Sequence, residues 1–110
     1  MSNRVAEAYT MITGSSSSAG NNTMVAAPGS GRRIVWRKIK LVNGSANAMT
    51  CIIKYGATSK MTSIFDAQIG AGEVYYEEEG KALPENTALI NNMSGSTLAS
   101  WDVDYLTESI

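Results

Sequence analysis

The sequence predicts an all-β protein: a two-layer β-sandwich or jelly roll of about eight strands, with an extended N-terminal arm. Three features predict it. No segment of useful length repeats with the helical period. Short runs rich in Ile, Val, Thr, Tyr and Trp recur at spacings of about 8–14 residues. Clusters of Gly, Asn, Ser and Pro separate those runs. A closed barrel is the second architecture that fits the pattern.

The chain divides into an arm, residues 1–31, and a β-sandwich body, residues 32–110. Val5 to Thr13 reads as a strand, and GSSSSAGNN (14–22) as a flexible Ser/Gly linker with nothing to pack. Val5, Tyr9, Met11 and Ile12 are costly to leave in water, so this segment either reaches a neighbouring subunit or forms an ordinary first strand. Thr23 to Ala27 is a short apolar segment that leads into the turn Pro28-Gly29-Ser30-Gly31.

Arg32 to Val42 is the longest predicted strand. Ile39 and Leu41 share one face and Lys38 and Lys40 the other, whereas Ile34 and Trp36 are apolar at the opposite parity. Either a β-bulge sits near Arg37 or part of the strand is covered on both faces. Asn43-Gly44-Ser45 turns the chain into a strand from Ala48 to Tyr55, and Gly56 to Lys60 form a loop. Residues 62–69 make a further strand, with Gly70-Ala71-Gly72 as the connection. In Glu73 to Glu78, Val74 and Tyr76 take one face and Glu73, Tyr75 and Glu77 the other. Leu83-Pro84 falls in a connection, because proline removes a ladder donor. After a short strand at 86–92, Thr97 to Leu106 alternates most clearly: Ala99, Trp101, Val103 and Tyr105 inward, Asp102 and Asp104 outward.

A chain of 110 residues is one domain and buries roughly 65% of its unfolded surface, enough for one modest core. Aromatic residues are only 7% of the sequence, so that core must lean on Ile, Val, Leu, Met and Ala. The single cysteine, Cys51, lies in the apolar run Met49-Thr50-Cys51-Ile52-Ile53 and reads as a buried free thiol. A chain without a disulfide frame suits folding in a reducing cytoplasm. Residues 1–18 carry Glu7 and no continuous apolar segment, so they do not read as a signal peptide, and no run is long enough for a membrane helix.

Candidate chemistry is sparse. The sequence has no histidine, which removes the commonest general base and the commonest metal ligand. Gly70-Ala71-Gly72 lies between two strands, so no helix dipole follows it, and it reads as a turn. Glu77-Glu78-Glu79 and the Asp102/Asp104 pair read as solvated faces, with a hard-cation site such as calcium as the alternative. No cofactor and no enzymatic activity are expected. Arg32, Arg33, Arg37, Lys38 and Lys40 crowd one strand. The net charge of −1 argues against nucleic acid, so the arginines are expected to pair with an acidic partner surface and the lysines to guard an edge strand.

The segment TMVAAPGSGRRIVWRKIKLVNGSANAMTCIIKYG (23–56) resembles the small virion proteins of tailed bacteriophages, with its Pro-x-Gly turn, long strand ending in "I-x-L-V-N" and second apolar strand. IFDAQIGAGEVYY (64–76), GKALPENTALI (80–90) and SWDVDY (100–105) continue the resemblance. It implies a β-sandwich virion component, of which a capsid decoration (cement) protein on the outside of the head is the leading type. The major capsid protein is then the expected partner and a homo-oligomer, a trimer by preference, the expected state. A tail, neck or fibre component, including a glycan-binding tip, is the alternative. The resemblance supplies no residue-level site. Partner contacts are expected on the arm at Val5, Tyr9, Met11 and Ile12, and on the body at Arg32, Arg33, Arg37 and Tyr75.

Overall fold

The computed structural model describes residues 9–57, 60–96 and 98–110. All nine regular elements among them are strands: β1 (Thr10–Ser16), β2 (Gly20–Val25), β3 (Arg32–Asn43), β4 (Met49–Ala57), β5 (Lys60–Ile69), β6 (Val74–Glu77), β7 (Lys81–Ala82), β8 (Leu89–Met93) and β9 (Ala99–Ser109). They form two antiparallel sheets. The first runs β1-β9-β3-β6 with β7 also on β3, and the second runs β2-β8-β4-β5.

This order follows from one rolled-up hairpin. β4 pairs β5 at its tip, and β3 with β6, β2 with β8 and β1 with β9 pair behind it. Rolling that ribbon brings β9 beside β3 and β8 beside β4, and these two pairings close the roll. The result is a jelly roll, the sandwich form of the predicted fold.

The parity problem in the longest strand has a local solution. The β3–β9 register runs from Arg32↔Ser109 to Asn43↔Ala99 and shifts between Trp36 and Lys38. Arg37 is the extra residue of a bulge, so Ile34 and Trp36 before it and Ile39 and Leu41 after it all face the core. Across from them lie Cys51 and Ile53 of β4 and Leu89 and Met93 of β8, all fully or nearly fully buried. Trp36 and Trp101 are both core residues, at 2% and 5% exposure.

Cys51 is a buried free thiol. Burial pushes its pKa up, and the Asn91 carboxamide beside it offsets part of that rise. Near neutral pH it is a protonated, inert core group.

The division at residue 31 does not appear in the fold. Residues 10–25, expected in an arm, supply an edge strand to each sheet. Two local devices make strands of a Ser/Gly-rich sequence. Gly14 lies opposite Trp101, and a Cβ on it would stand 2.7 Å from the indole Nε1, so only glycine lets β1 pass over that ring. The β1–β2 connection is hydrogen-bonded: Ser16 Oγ donates to Asn22 Oδ1 at 2.6 Å, and Asn22 Nδ2 donates to the carbonyls of Ser18 and Gly20 at 2.9 and 3.0 Å. Ile12 packs against the core from β1. Val5 lies outside the described residues.

The loop expected at Gly56–Lys60 is shorter, since Gly56 and Ala57 extend β4 and Lys60 opens β5. The strand expected at 86–92 begins at Leu89, because Asn86 adopts a positive φ of 49° in a turn. Its amide donates to the Arg32 carbonyl at 2.8 Å.

At the opposite end, Asn43 is fully buried. Its Nδ2 donates to the carbonyls of Asn47 (2.7 Å), Ile69 (3.0 Å) and Gly70 (3.2 Å). Its Oδ1 accepts from the amide and hydroxyl of Ser45 at 3.0 and 2.8 Å. One carboxamide thus fastens the β3–β4 and β5–β6 connections together, and water cannot replace it at a buried site.

Two outcomes are expected. Asn43→Ala strands several buried acceptors and lowers the unfolding free energy by about 2–4 kcal/mol in urea titration, whereas Ser45→Ala costs under about 1 kcal/mol. Cys51 resists a thiol-specific reagent at about pH 8 in native protein and reacts fully in denaturant; rapid native labelling contradicts its placement.

Candidate partner-binding surface

The outer face of the first sheet is built from the outward residues of four strands. Cross-strand registers arrange them in rows. One row reads Thr13, Asp102, Lys40, Tyr76 across β1, β9, β3 and β6. The next places Met11, Asp104 and Lys38 side by side, and on the other flank Ser15, Ser100, Val42 and Val74 line up. The alternation that buries Trp101 and Val103 sets Asp102 and Asp104 on this face, and the bulge at Arg37 keeps Lys38 and Lys40 there too.

Opposite charges therefore stand in adjacent columns. Lys40 Nζ lies 4.0 Å from Asp102 Oδ2, and Lys38 Nζ lies 3.5 Å from Glu78 Oε1. Arg37 grips Asp104 through Nε at 3.0 Å and Nη2 at 2.6 Å. Lys38 and Lys40 also lie over the Tyr76 ring, at 5.1 and 6.0 Å from its centroid, and the Arg37 guanidinium covers the Tyr9 ring at 4.0 Å. These half-exposed pairs add little stability, but they order the face. Met11, Lys38, Lys40, Tyr76, Asp102 and Asp104 bound a groove of about 230 Å³ on it.

Apolar groups stand out among these charges. Five large hydrophobic residues are exposed among the described residues, and three of them, Met11 (58%), Tyr76 (52%) and Val74 (46%), belong to this face. The second sheet offers a different exterior, with Asn21, Thr23, Asp66 and Gln68 exposed and Asn92 Nδ2 donating to Asn21 Oδ1 at 2.7 Å. Met, Tyr and Arg are the residue types enriched in protein contacts, and here they border a ladder of charges that is paired within the molecule.

The expected partner contacts divide accordingly. Tyr9, Met11 and Arg37 come together at one side of this face, while Ile12 points the other way, into the core. Arg32 and Arg33 are engaged within the molecule: Arg32 Nη2 donates to the Thr107 carbonyl at 3.0 Å, and Arg33 pairs with Glu108 at 2.5 Å.

Tyr75 is reversed from expectation. It packs against the core, its ring stacked on Phe65 with centroids 5.9 Å apart, and it is Tyr76 that faces out. The strand gives no parity signal because both of its faces mix tyrosine with other groups. At the sheet's edge the inward Glu77 still reaches water, and it accepts from the Tyr75 hydroxyl at 3.1 Å. Partial burial raises the Tyr75 pKa first, and the hydrogen bond to Glu77 and the charges of Glu77 and Glu79 raise it further. The phenol thus keeps its proton through the ordinary tyrosine range, and the contact's contribution, fully present below the unfolded value, is lost as alkali carries the pH through the elevated folded value.

No protein-family model matches the chain, and no curated protein matches it in sequence. The reading of this surface stands on its geometry.

Exchanging the two tyrosines' roles is directly measurable. Tyr75→Ala should cost about 2 kcal/mol of stability through lost ring packing, and Tyr76→Ser should stay within about 0.5 kcal/mol of the parent in the same urea titration.

Proposed function

We propose that this chain is a structural subunit of a virus particle, and specifically a decoration protein that binds the outside of a tailed-phage head and stiffens it by bridging capsid subunits. The observation that carries the reading is the outer face of the first sheet, where exposed Met11, Val74 and Tyr76 frame a ladder of opposite charges and offer a contact through which neighbouring copies on a shell can join, while residues 1–8 are left to hold the shell. A small jelly roll serves shells well, because its two packed layers present broad faces. Viral capsid proteins use this architecture widely, which supports the reading by analogy of fold. The resemblance of the turn-and-strand pattern to that of small virion proteins supports it from the sequence.

Decoration demands modest contacts repeated many times rather than one tight site. Each bound copy raises the effective concentration of the next contact, so a weak face becomes sufficient on a lattice of identical subunits. In this reading the major capsid protein is the principal partner. Residues 1–8, which include Val5 and lead directly into β1, are the segment assigned to gripping it. A glycan-binding role at a tail or fibre tip gains less from the structure, since both tryptophans are core residues rather than sugar platforms.

The test uses heads assembled without this protein. The full chain should bind them and appear on their outer surface in a particle map. A chain lacking residues 1–8 should keep the full set of described strands, with an unchanged far-ultraviolet spectrum, yet leave the heads bare. Density in the neck or tail would overturn the head assignment, and normal occupancy by the shortened chain would overturn the role given to residues 1–8.

A further inference from the structure

The charge pattern on the outer face of the first sheet is complementary to itself. Asp102 and Asp104 form a column on β9, and Lys40 and Lys38 form the adjacent column on β3, with Asp102 beside Lys40 and Asp104 beside Lys38. A two-fold axis parallel to the strands, lying between these columns and just above the sheet, exchanges them. A second copy placed by that axis sets its lysines over the first copy's aspartates and its aspartates over the first copy's lysines. The same operation lays Thr13 of β1 over Tyr76 of β6 in the facing copy, with Met11 one row along. From this geometry we infer that the occupant of this face is a second copy of the chain, docked sheet to sheet about a two-fold axis through the Lys38/Lys40 and Asp102/Asp104 ladder.

Three observations favour a second copy over a partner of single charge. The face carries both signs in equal number in its central columns, so a purely acidic or purely basic surface would meet repulsion at half of them. The apolar residues lie on both outer strands, Met11 on β1 and Val74 and Tyr76 on β6, as an isologous contact requires. The outer faces of twisted sheets can also align closely enough for side chains of the two copies to interleave.

The extent of the face sets the strength. Four strands at a spacing of about 4.8 Å and three rows of outward residues give roughly 300–400 Å² per copy. That is below the roughly 800 Å² per partner of a standard stable interface. The dimer is therefore weak in free solution, with dissociation in the micromolar to millimolar range, and it gains strength where copies are held close together. The charges set register and select the partner, while Met11, Val74 and Tyr76 supply most of the attraction.

This inference rests on reading the face as a protein contact, but its test needs no virus. Sedimentation equilibrium of the full chain, carried up to about 1 mM, should show a monomer–dimer equilibrium that weakens as salt rises. Lys40→Glu and Asp102→Lys, each alone, place like charges opposite each other across the axis and should weaken self-association at least about tenfold. Mixing the two single variants should restore a dimer containing one of each, because every facing pair is then opposite in sign. The double variant carrying both changes should dimerise like the parent.

A monomer throughout, a trimeric mass, or single variants that associate normally would overturn the proposal. Should either charge variant fail to fold, as judged by tryptophan emission, Tyr76→Ser and Met11→Ser carry the test, and parental affinity in both would overturn it. Failure to bind phage heads would count against the decoration role and leave the solution dimer intact. Loss of the solution dimer with normal head binding would do the reverse.

Discussion

Everything in this molecule depends on the pairing of β3 with β9. These are the longest strands of the first sheet, and their register runs the whole length from Arg32↔Ser109 to Asn43↔Ala99. The seam closes the roll, because β1 reaches the sheet only through β9, and β6 and β7 only through β3. It also decides what each face contains. Inward, it delivers Ile34, Trp36, Ile39 and Leu41 from one strand and Trp101 and Val103 from the other. Outward, it sets Lys38 and Lys40 beside Asp104 and Asp102. A slip of one residue would exchange the two sets and put charge into the core, so hydrophobic burial fixes the outer ladder as firmly as it fixes the interior.

The bulge at Arg37 is the seam's one irregularity, and it has two effects. It corrects the phase between Trp36 and Ile39 so that both are buried. It also projects Arg37 to the side, over Tyr9 and onto Asp104, where it pins the start of β1 to the sheet. A feature required by core packing thus organises the margin of the candidate contact face.

Much of this was legible in the amino-acid order. The change of apolar parity within IVWRKIKL (34–41) announced the bulge, and the alternation of SWDVDY (100–105) announced both the core tryptophan and the acidic column. Cys51 and the two tryptophans lie where their surroundings placed them. The first two strands were hidden for a physical reason. Ser, Gly and Asn score as linker when local preference is weighed alone, whereas here Gly14 is demanded by a ring on β9, and Asn22 is held by a turn that exists only once both sheets do. The arginines' intramolecular partners were hidden in a related way, since they stand about seventy residues away, as with Arg33 and Glu108. The candidate face was half visible: its charges could be listed, but which columns touch, and which tyrosine of β6 faces out, are set by topology and by a sheet edge.

The rolled-hairpin topology has a consequence for how the protein is made. The strand that completes the first sheet, β9, leaves the ribosome after the other eight described strands, and it is inserted between β1 and β3 rather than added at an edge. Until Ala99–Ser109 emerges, β1 has no neighbour in its sheet, and the apolar side of β3 has lost its longest partner. Sheets built from distant pairings form slowly and expose unpaired strands while they wait. The first sheet therefore closes only after β9 is made, and a chain that lacks Ala99–Ser109 would be an aggregating fragment rather than a slightly smaller domain. The small polar residues of β1, four of whose seven are Ser or Thr, make that waiting edge less adhesive than a run of Val or Ile would be.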